Sequence, residues 1–291
     1  MYFINKYRKD MPLPKRVLED FLFKLRFVFL YFRNDFKHKT ILVYPHFPSK
    51  RSTIHKITRY LGYNRTNNPK LKHELILHYE MQTFRKVNHF PFQTEKRIHI
   101  INHSCDDISK ENVEKVHQQA FGYGIAVDPL TFKGTAVKKN NINALHDGEV
   151  IRCPIDHKDS GYIYQKLIDN QTEKGLVKDI RITVINYNPA LCQIKLKPVS
   201  ARFSLQTSRS YLMSIDETFN DEEKQKIKMF CANLGLEFGS LDVLRDRNEG
   251  RIYIVDANNT PHGPNKLSKK ELRRAVKMLA GVFEKEYLGQ P

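Results

Sequence analysis

The chain is 291 residues long, 40% hydrophobic, and carries 49 Lys plus Arg against 32 Asp plus Glu, a net charge of +17. That length and apolar content bury a sizeable core, which excludes a disordered or fibrous chain, and the broad positive potential favours nucleic acid, an anionic membrane or an acidic substrate as partner. Cys105, Cys153, Cys192 and Cys231 are widely spaced with no CxxC pair, which argues against a zinc site or disulfide framework and for a reducing cytoplasm.

In chain order, residues 15–39 place Leu18, Phe21, Leu22, Leu25, Phe29 and Phe32 at helical spacing among Lys24, Arg26, Arg33, Lys37 and Lys39. Such a basic amphipathic helix can lie in the interface of an anionic membrane or dock on its own domain. Its apolar run is too short to span a bilayer. ILVYP at 41–45, a helix over about 52–60, ELILHYE at 74–80 and RIHIIN at 97–102 follow as a small α/β unit. A helix is expected over 109–119, capped by Ser109. GIAVDP, GTAVKK, EVIRCPI and YIYQKLID then read as short strands, and DIRITVI and CQIKLKPVSARF extend a sheet. Residues 221–234 form a helix, 241–264 a hairpin and 268–287 a closing helix with Ser268 as its cap.

The usual short motifs are missing. HExxxH at 73–78 sets its histidines five apart instead of four, Gly122 and Gly124 lack the third glycine of a dinucleotide fingerprint, and no P-loop or GxSxG elbow occurs. The hairpin is more informative. With its turn centred on Asn248, Arg245 falls opposite Arg251 and Asp242 opposite Ile254, which makes Asp242 a diagonal neighbour of Asp256. Asp256 and Asn258 share that sheet face because strand side chains alternate. Magnesium takes oxygen ligands and few carboxylates, so Asp242, Asp256 and Asn258 form a candidate metal site. An ordinary polar hairpin end is the alternative reading of these residues alone.

Over residues 100–263 the order of elements resembles the ATP-grasp superfamily of nucleotide-dependent ligases, which clamp ATP between two α+β lobes. GTAVKKNNINALHDG resembles the strand and loop whose lysine binds ATP phosphates, which implies Lys138, with Lys133 and Lys139 as alternatives. YIYQKLIDN resembles the adenine hinge, with Gln165 where the family often has glutamate. The resemblance implies adenine against the backbone of Lys166 and Leu167 and the ribose near Asp169 or Asn170. DIRITVI resembles the strand whose arginine, here Arg181, faces the transferring phosphoryl group, and Lys195, Lys197 and Arg202 would meet an anionic substrate or acyl phosphate. GSLDVLRD and YIVDANNTP resemble the metal-binding end, matching Asp242, Asp256 and Asn258, with Asn259, Thr260, His262 and Gly263 in the loop near the acceptor.

The fold implied is α+β or α/β: an ATP-grasp fold with a small N-terminal α/β (pre-ATP-grasp) domain and a basic N-terminal amphipathic helix. The segments are 1–39, 40–103 and 104–291, the last with an ATP-binding lobe at about 125–175 and a metal and substrate lobe at about 176–291. The resemblance implies an enzyme that uses ATP and Mg2+ to activate a carboxylate as an acyl phosphate and couple it to an amine or other nucleophile. Arg181, Lys138 and Lys195 would stabilise the transferring group, while Lys138, Gln165, Lys166, Leu167, Asp169, Asn170, Arg181 and Lys197 would hold the nucleotide. Charge points to an anionic acceptor, such as a bacterial surface polysaccharide or its precursor, and to a cytoplasmic protein peripheral on the inner face of the membrane. A kinase acting on a hydroxyl of an anionic small molecule is the alternative within the family. A nucleic-acid-binding protein is a distant third, because no aromatic and basic sheet face or known nucleic-acid motif is present.

Overall fold

The computed structural model describes residues 39–85, 90, 98–145, 147–204 and 206–289, together with positions 12, 14, 18, 21, 22, 25, 28 and 29. The expected N-terminal helix therefore lies largely outside the described residues. Those of its positions that are described, Leu18, Phe21, Leu22, Leu25 and Phe29 among them, are helical and exposed.

Strands β1 (Thr40–Pro45), β2 (Asn64–Thr66), β3 (Leu75–Tyr79) and β4 (Ile100–Ile101) form a parallel sheet in the order β2-β1-β3-β4. Helix α1 (Thr53–Leu61) starts at Ser52, whose hydroxyl accepts from the His55 amide, and stops at Gly62, whose left-handed φ of 76° suits glycine. Burial on both faces explains why β1 and β3 read as unbroken apolar runs.

Helix α2 (Lys110–Phe121), capped by Ser109, leads to a three-stranded antiparallel sheet of β5 (Gly134–Asn140), β6 (Glu149–Cys153) and β7 (Tyr162–Lys166), in the order β6-β5-β7. The GIAVDP segment, expected as a strand, makes only an isolated bridge between Ala126 and Gln165. Strands β8 (Leu176–Ile185), β9 (Asn188–Pro198), β10 (Arg209–Met213), β11 (Phe238–Arg245) and β12 (Ile252–Asn258) form a five-stranded antiparallel sheet, order β10-β9-β8-β11-β12. Helices α3 (Ile215–Thr218) and α4 (Asp221–Leu234) precede β11, and α5 (Lys269–Tyr287) ends the described chain.

The five-stranded sheet has two unlike faces. Ile180, Ile182, Ile194, Leu241, Val243 and Ile254 point to one side and form a core with Val113 and Val116 of α2 and Ile227 and Phe230 of α4. The other side carries the polar residues at alternate positions, as strand geometry requires. Helix α5 packs Ala275, Leu279 and Phe283 against Ile41, Val43, Leu75 and Leu77, so the end of the chain shares a core with the first sheet.

The hairpin register differs from the expected one. Arg245 pairs with Ile252 instead of Arg251, because the connection is six residues closed by Asp246, whose carboxylate accepts from the amides of Asn248 at 2.8 Å and Glu249 at 2.9 Å. A β-bulge between Asp242 and Val243 leaves Val255 as the extra residue. The two slips add, and Asp242 stands directly opposite Asp256 instead of opposite Ile254.

Candidate active site

The polar face of the large sheet brings one row of side chains into register: Gln193 on β9, Arg181 on β8, Asp242 on β11 and Asp256 on β12. One step along, Ser240 pairs with Asn258. Arg181 is fixed by two partners, Ser240 Oγ at 2.8 Å and Asp242 Oδ1 at 3.4 Å. Burial, then the facing Asp242 carboxylate, pushes the Asp256 pKa up to about 6, against the pull of Lys110, Lys139 and Arg181. Two carboxylates held together by the backbone against their mutual repulsion are a ready cation site. The third proposed ligand is partly committed, since Asn258 Oδ1 accepts from the Thr260 amide at 2.8 Å and its hydroxyl at 3.2 Å. Among the described residues no group of three or more His, Cys, Asp or Glu is placed to hold a metal, so Asp242 and Asp256 would be the anchors.

Across the cleft, β5 decides between neighbouring lysines by alternation. Lys138 turns away from the acid pair: it forms an ion pair with Asp159 and lies over the Tyr162 ring at 4.8 Å. Lys139 turns inward, its Nζ donating to Val255 O at 3.2 Å on the outer edge of β12. Burial lowers its pKa to about 8, an effect opposed by the attraction of Asp256. The two lysines occupy opposite faces of one strand, and of the two it is Lys139, one of the alternatives left open by the sequence, that faces β12.

The hinge is also rearranged. Gln165 Nε2 donates to Glu114 Oε2 at 2.7 Å, while Glu114 Oε1 accepts from the amides of Ile125 at 2.6 Å and Ala126 at 3.0 Å. The Lys166 amide donates to Ile125 O at 2.7 Å and the Leu167 amide to Thr135 O at 3.1 Å. The Lys166 ammonium pairs with Glu249 at 3.2 Å. Asp169 holds Arg247 at 2.7 Å, and buried Asn170 bridges Lys178 O, Asp179 and Arg202. Both brace the turn that joins β7 to β8.

Of the two lysines on β9, Lys197 pairs with Asp179 at 2.7 Å and donates to Arg202 O at 3.3 Å. Lys195 stands opposite Asp179 in register, half-buried, with its pKa lowered to about 8 by burial and by Arg181. His262 follows the sheet in the loop, with burial and then Lys56 and Arg181 lowering its pKa.

Three contributors escaped the sequence reading. Ser240 was within reach of it, being two residues before Asp242 on the same strand face. Lys110 opens α2, donates to Ile142 O at 2.8 Å, and is drawn electrostatically by Asp256. Asn143 ties the loop after β5 to Ala257 O at 3.2 Å. No local pattern aims Lys110 or Asn143 at β12; only the tertiary fold does.

No protein-family model matches the chain, and no curated protein matches it in sequence. Solved structures do match. The ATP-grasp ligase PsnB, complexed with a phosphomimetic variant of its minimal precursor, Mg and ADP, superposes with a TM-score of 0.53 at 10% identity over 84% of this chain and 98% of that one. D-alanine–D-alanine ligase from Bacillus anthracis gives 0.52 at 12% identity over 86% and 97%. The macrocyclase MdnC bound with its precursor peptide, from Microcystis aeruginosa MRC, gives 0.50 at 10% identity over 87% and 100%. At such identities the likeness is one of architecture, and it covers nearly the whole of each neighbour. The chain is an ATP-grasp-fold protein.

Proposed function

We propose that this protein is an ATP-dependent ligase that activates a carboxylate as an acyl phosphate and passes it to an amine or other nucleophile on an anionic acceptor. The observation that carries the reading is the Asp242–Asp256 pair, directly opposed across two strands and ringed by Lys110, Lys139 and Arg181. Two hard carboxylates suit magnesium, which leaves its other positions to phosphate oxygens and water. Magnesium held there would neutralise charge on the triphosphate during transfer.

The chain's own groups supply the rest. Lys139, with a pKa of about 8, stays mostly protonated at neutral pH and offers a charge to the phosphates. Arg181, oriented by Ser240 and Asp242, presents its guanidinium to a transferring phosphoryl group without needing to reorganise. Lys195 adds a second cation beside it. In the first step a substrate carboxylate oxygen bonds the γ-phosphorus as the bridging oxygen leaves with ADP. In the second the nucleophile bonds the acyl carbon and inorganic phosphate leaves. Positioning and fixed charge are sufficient for both.

PsnB and D-alanine–D-alanine ligase are both named as ligases, which supports a ligase ahead of a kinase. Product analysis separates them: phosphate release that requires both a carboxylate and a nucleophile supports the ligase, and a stable phosphorylated acceptor replaces it with the kinase.

The exposed helical positions Leu18, Phe21, Leu22, Leu25, Val28 and Phe29, set in a basic segment, support a location on the surface of an anionic membrane. No helix among the described residues is long and apolar enough to cross one. Deleting residues 1–36 abolishes flotation with anionic vesicles on this account; unchanged flotation contradicts it.

A further inference from the structure

Several buried polar atoms without a hydrogen-bond partner gather at the carboxyl end of the parallel sheet. They include His78 Nδ1, Arg85 Nε and Nη2, His103 Nδ1 and Asn259 Oδ1. His78 lies in β3, His103 follows β4, and Asn259 follows β12. The rings of His78 and His103 both contact Phe90, at centroid distances of 5.3 and 6.2 Å.

Arg85 is the centre of this cluster. It is 7% exposed, yet its guanidinium makes one hydrogen bond among the described residues, from Nη1 to His78 O at 3.3 Å. Its backbone is fixed, the amide donating to Asp106 O at 2.7 Å, so the side chain does not drift with a loose loop. Glu80 and Asp106 attract it electrostatically, but neither hydrogen-bonds to it among the described residues, and Glu80 contacts His78 Nε2 at 3.4 Å. Burying a guanidinium with a single hydrogen bond is a costly arrangement in a protein, and it persists where something other than stability keeps it.

The unpaired edge of this guanidinium, Nε with Nη2, is buried, and it is the fork that matches two oxygens of a carboxylate or phosphate. Its place is equally telling. Parallel sheets bind ligands beyond the carboxyl ends of their strands. Asn259 adjoins the proposed ligand Asn258; its carbonyl accepts from Asn102 Nδ2 at 3.4 Å, and its own Nδ2 lies 3.9 Å from Cys105 Sγ.

We propose that Arg85, set among the unpaired polar atoms of His78, His103 and Asn259, is the receptor for an oxyanion, carboxylate or phosphate, carried by the acceptor substrate. This rests on the ligase reading for the word acceptor, but the binding site stands on the geometry of Arg85 alone. It gives the anionic acceptor a defined anchor on the side of Asn258 away from the carboxylate pair.

The test uses the full chain without nucleotide or metal, with inorganic phosphate and acetate as probes and melting temperature as the readout. Wild-type protein is expected to be stabilised saturably by at least one probe, and the better probe assigns a phosphorylated or a carboxylate acceptor. Arg85→Met is expected to melt no lower than wild type in anion-free buffer, because it removes an unpaired buried charge, and to lose about tenfold or more in apparent anion affinity. Arg85→Lys keeps the charge but not the fork, and its response is expected to be intermediate; it is the informative variant if the methionine does not fold. Lys139→Ala retains the response, which separates this site from the phosphate end of the cleft. No response in wild type, a full response in Arg85→Met or Arg85→Lys, or loss confined to Lys139→Ala overturns the proposal. None of these readouts involves ATP, so a failure of the ligase reading would show itself separately, as absent nucleotide binding.

Discussion

Asp242 and Asp256 face each other directly across β11 and β12, because a six-residue connection and a bulged Val255 together shift the hairpin by two residues. A strictly regular hairpin would put Ile254 opposite Asp242. The shift therefore converts a pair of separate acids into a facing pair, and the Asp242 charge adds to burial, the larger cause, in raising the Asp256 pKa.

Alternation along β5 separates the roles of its two central lysines. Lys139→Ala is expected to weaken ATP binding by about tenfold or more, since it removes a charge-assisted contact. Lys138→Ala removes a solvent-screened ion pair and leaves ATP binding close to wild type. Calorimetric titration of both variants checks this, and the reverse ranking would return the phosphate role to Lys138.

Glu114 holds the hinge by accepting from Ile125, Ala126 and Gln165. Glu114→Ala leaves these donors buried and unpaired, at about 1–3 kcal/mol for each that water fails to reach. Urea unfolding is expected to show a loss of at least about 3 kcal/mol on that basis. A loss below about 1 kcal/mol would mean that the hinge is organised by other contacts.

The sequence made the alternating elements legible because helix caps such as Ser52, Ser109 and Ser268 and runs such as DIRITVI are local signals. That Asp256 and Asn258 share one sheet face was legible from strand parity, while Arg181 entered only through the resemblance of DIRITVI to the family's arginine strand. Which of Lys138 and Lys139 faces β12 was not legible, since it depends on which face of β5 meets β12. Nor was the commitment of Gln165 to Glu114, or of Lys197 to Asp179, because each joins elements remote in sequence. Strand β10 was missed because RSYLM is short and only half-buried, with little periodicity to report.

His99 Nε2 lies 2.7 Å from Glu237 Oε1, and this hydrogen bond raises the His99 pKa against a smaller opposing effect of burial. Its contribution to stability is complete below the unfolded value of about 6.5 and is lost as pH rises through the higher folded value. The urea midpoint is expected to fall from about pH 6.5 upward, more steeply in wild type than in His99→Gln. Parallel profiles for the two proteins would rule out this linkage.

The central claim is that Asp242 and Asp256 hold the magnesium of a bound Mg–ATP. Calorimetric titration with ATP, with and without Mg2+, in wild type and Asp256→Asn tests it most directly. Wild type is expected to bind ATP in a magnesium-dependent way, and Asp256→Asn to lose that dependence while melting no lower than wild type in the absence of metal, since one of two facing like charges has been removed. Magnesium-dependent binding that survives intact in Asp256→Asn, or wild-type protein that does not bind ATP at all, would contradict the account.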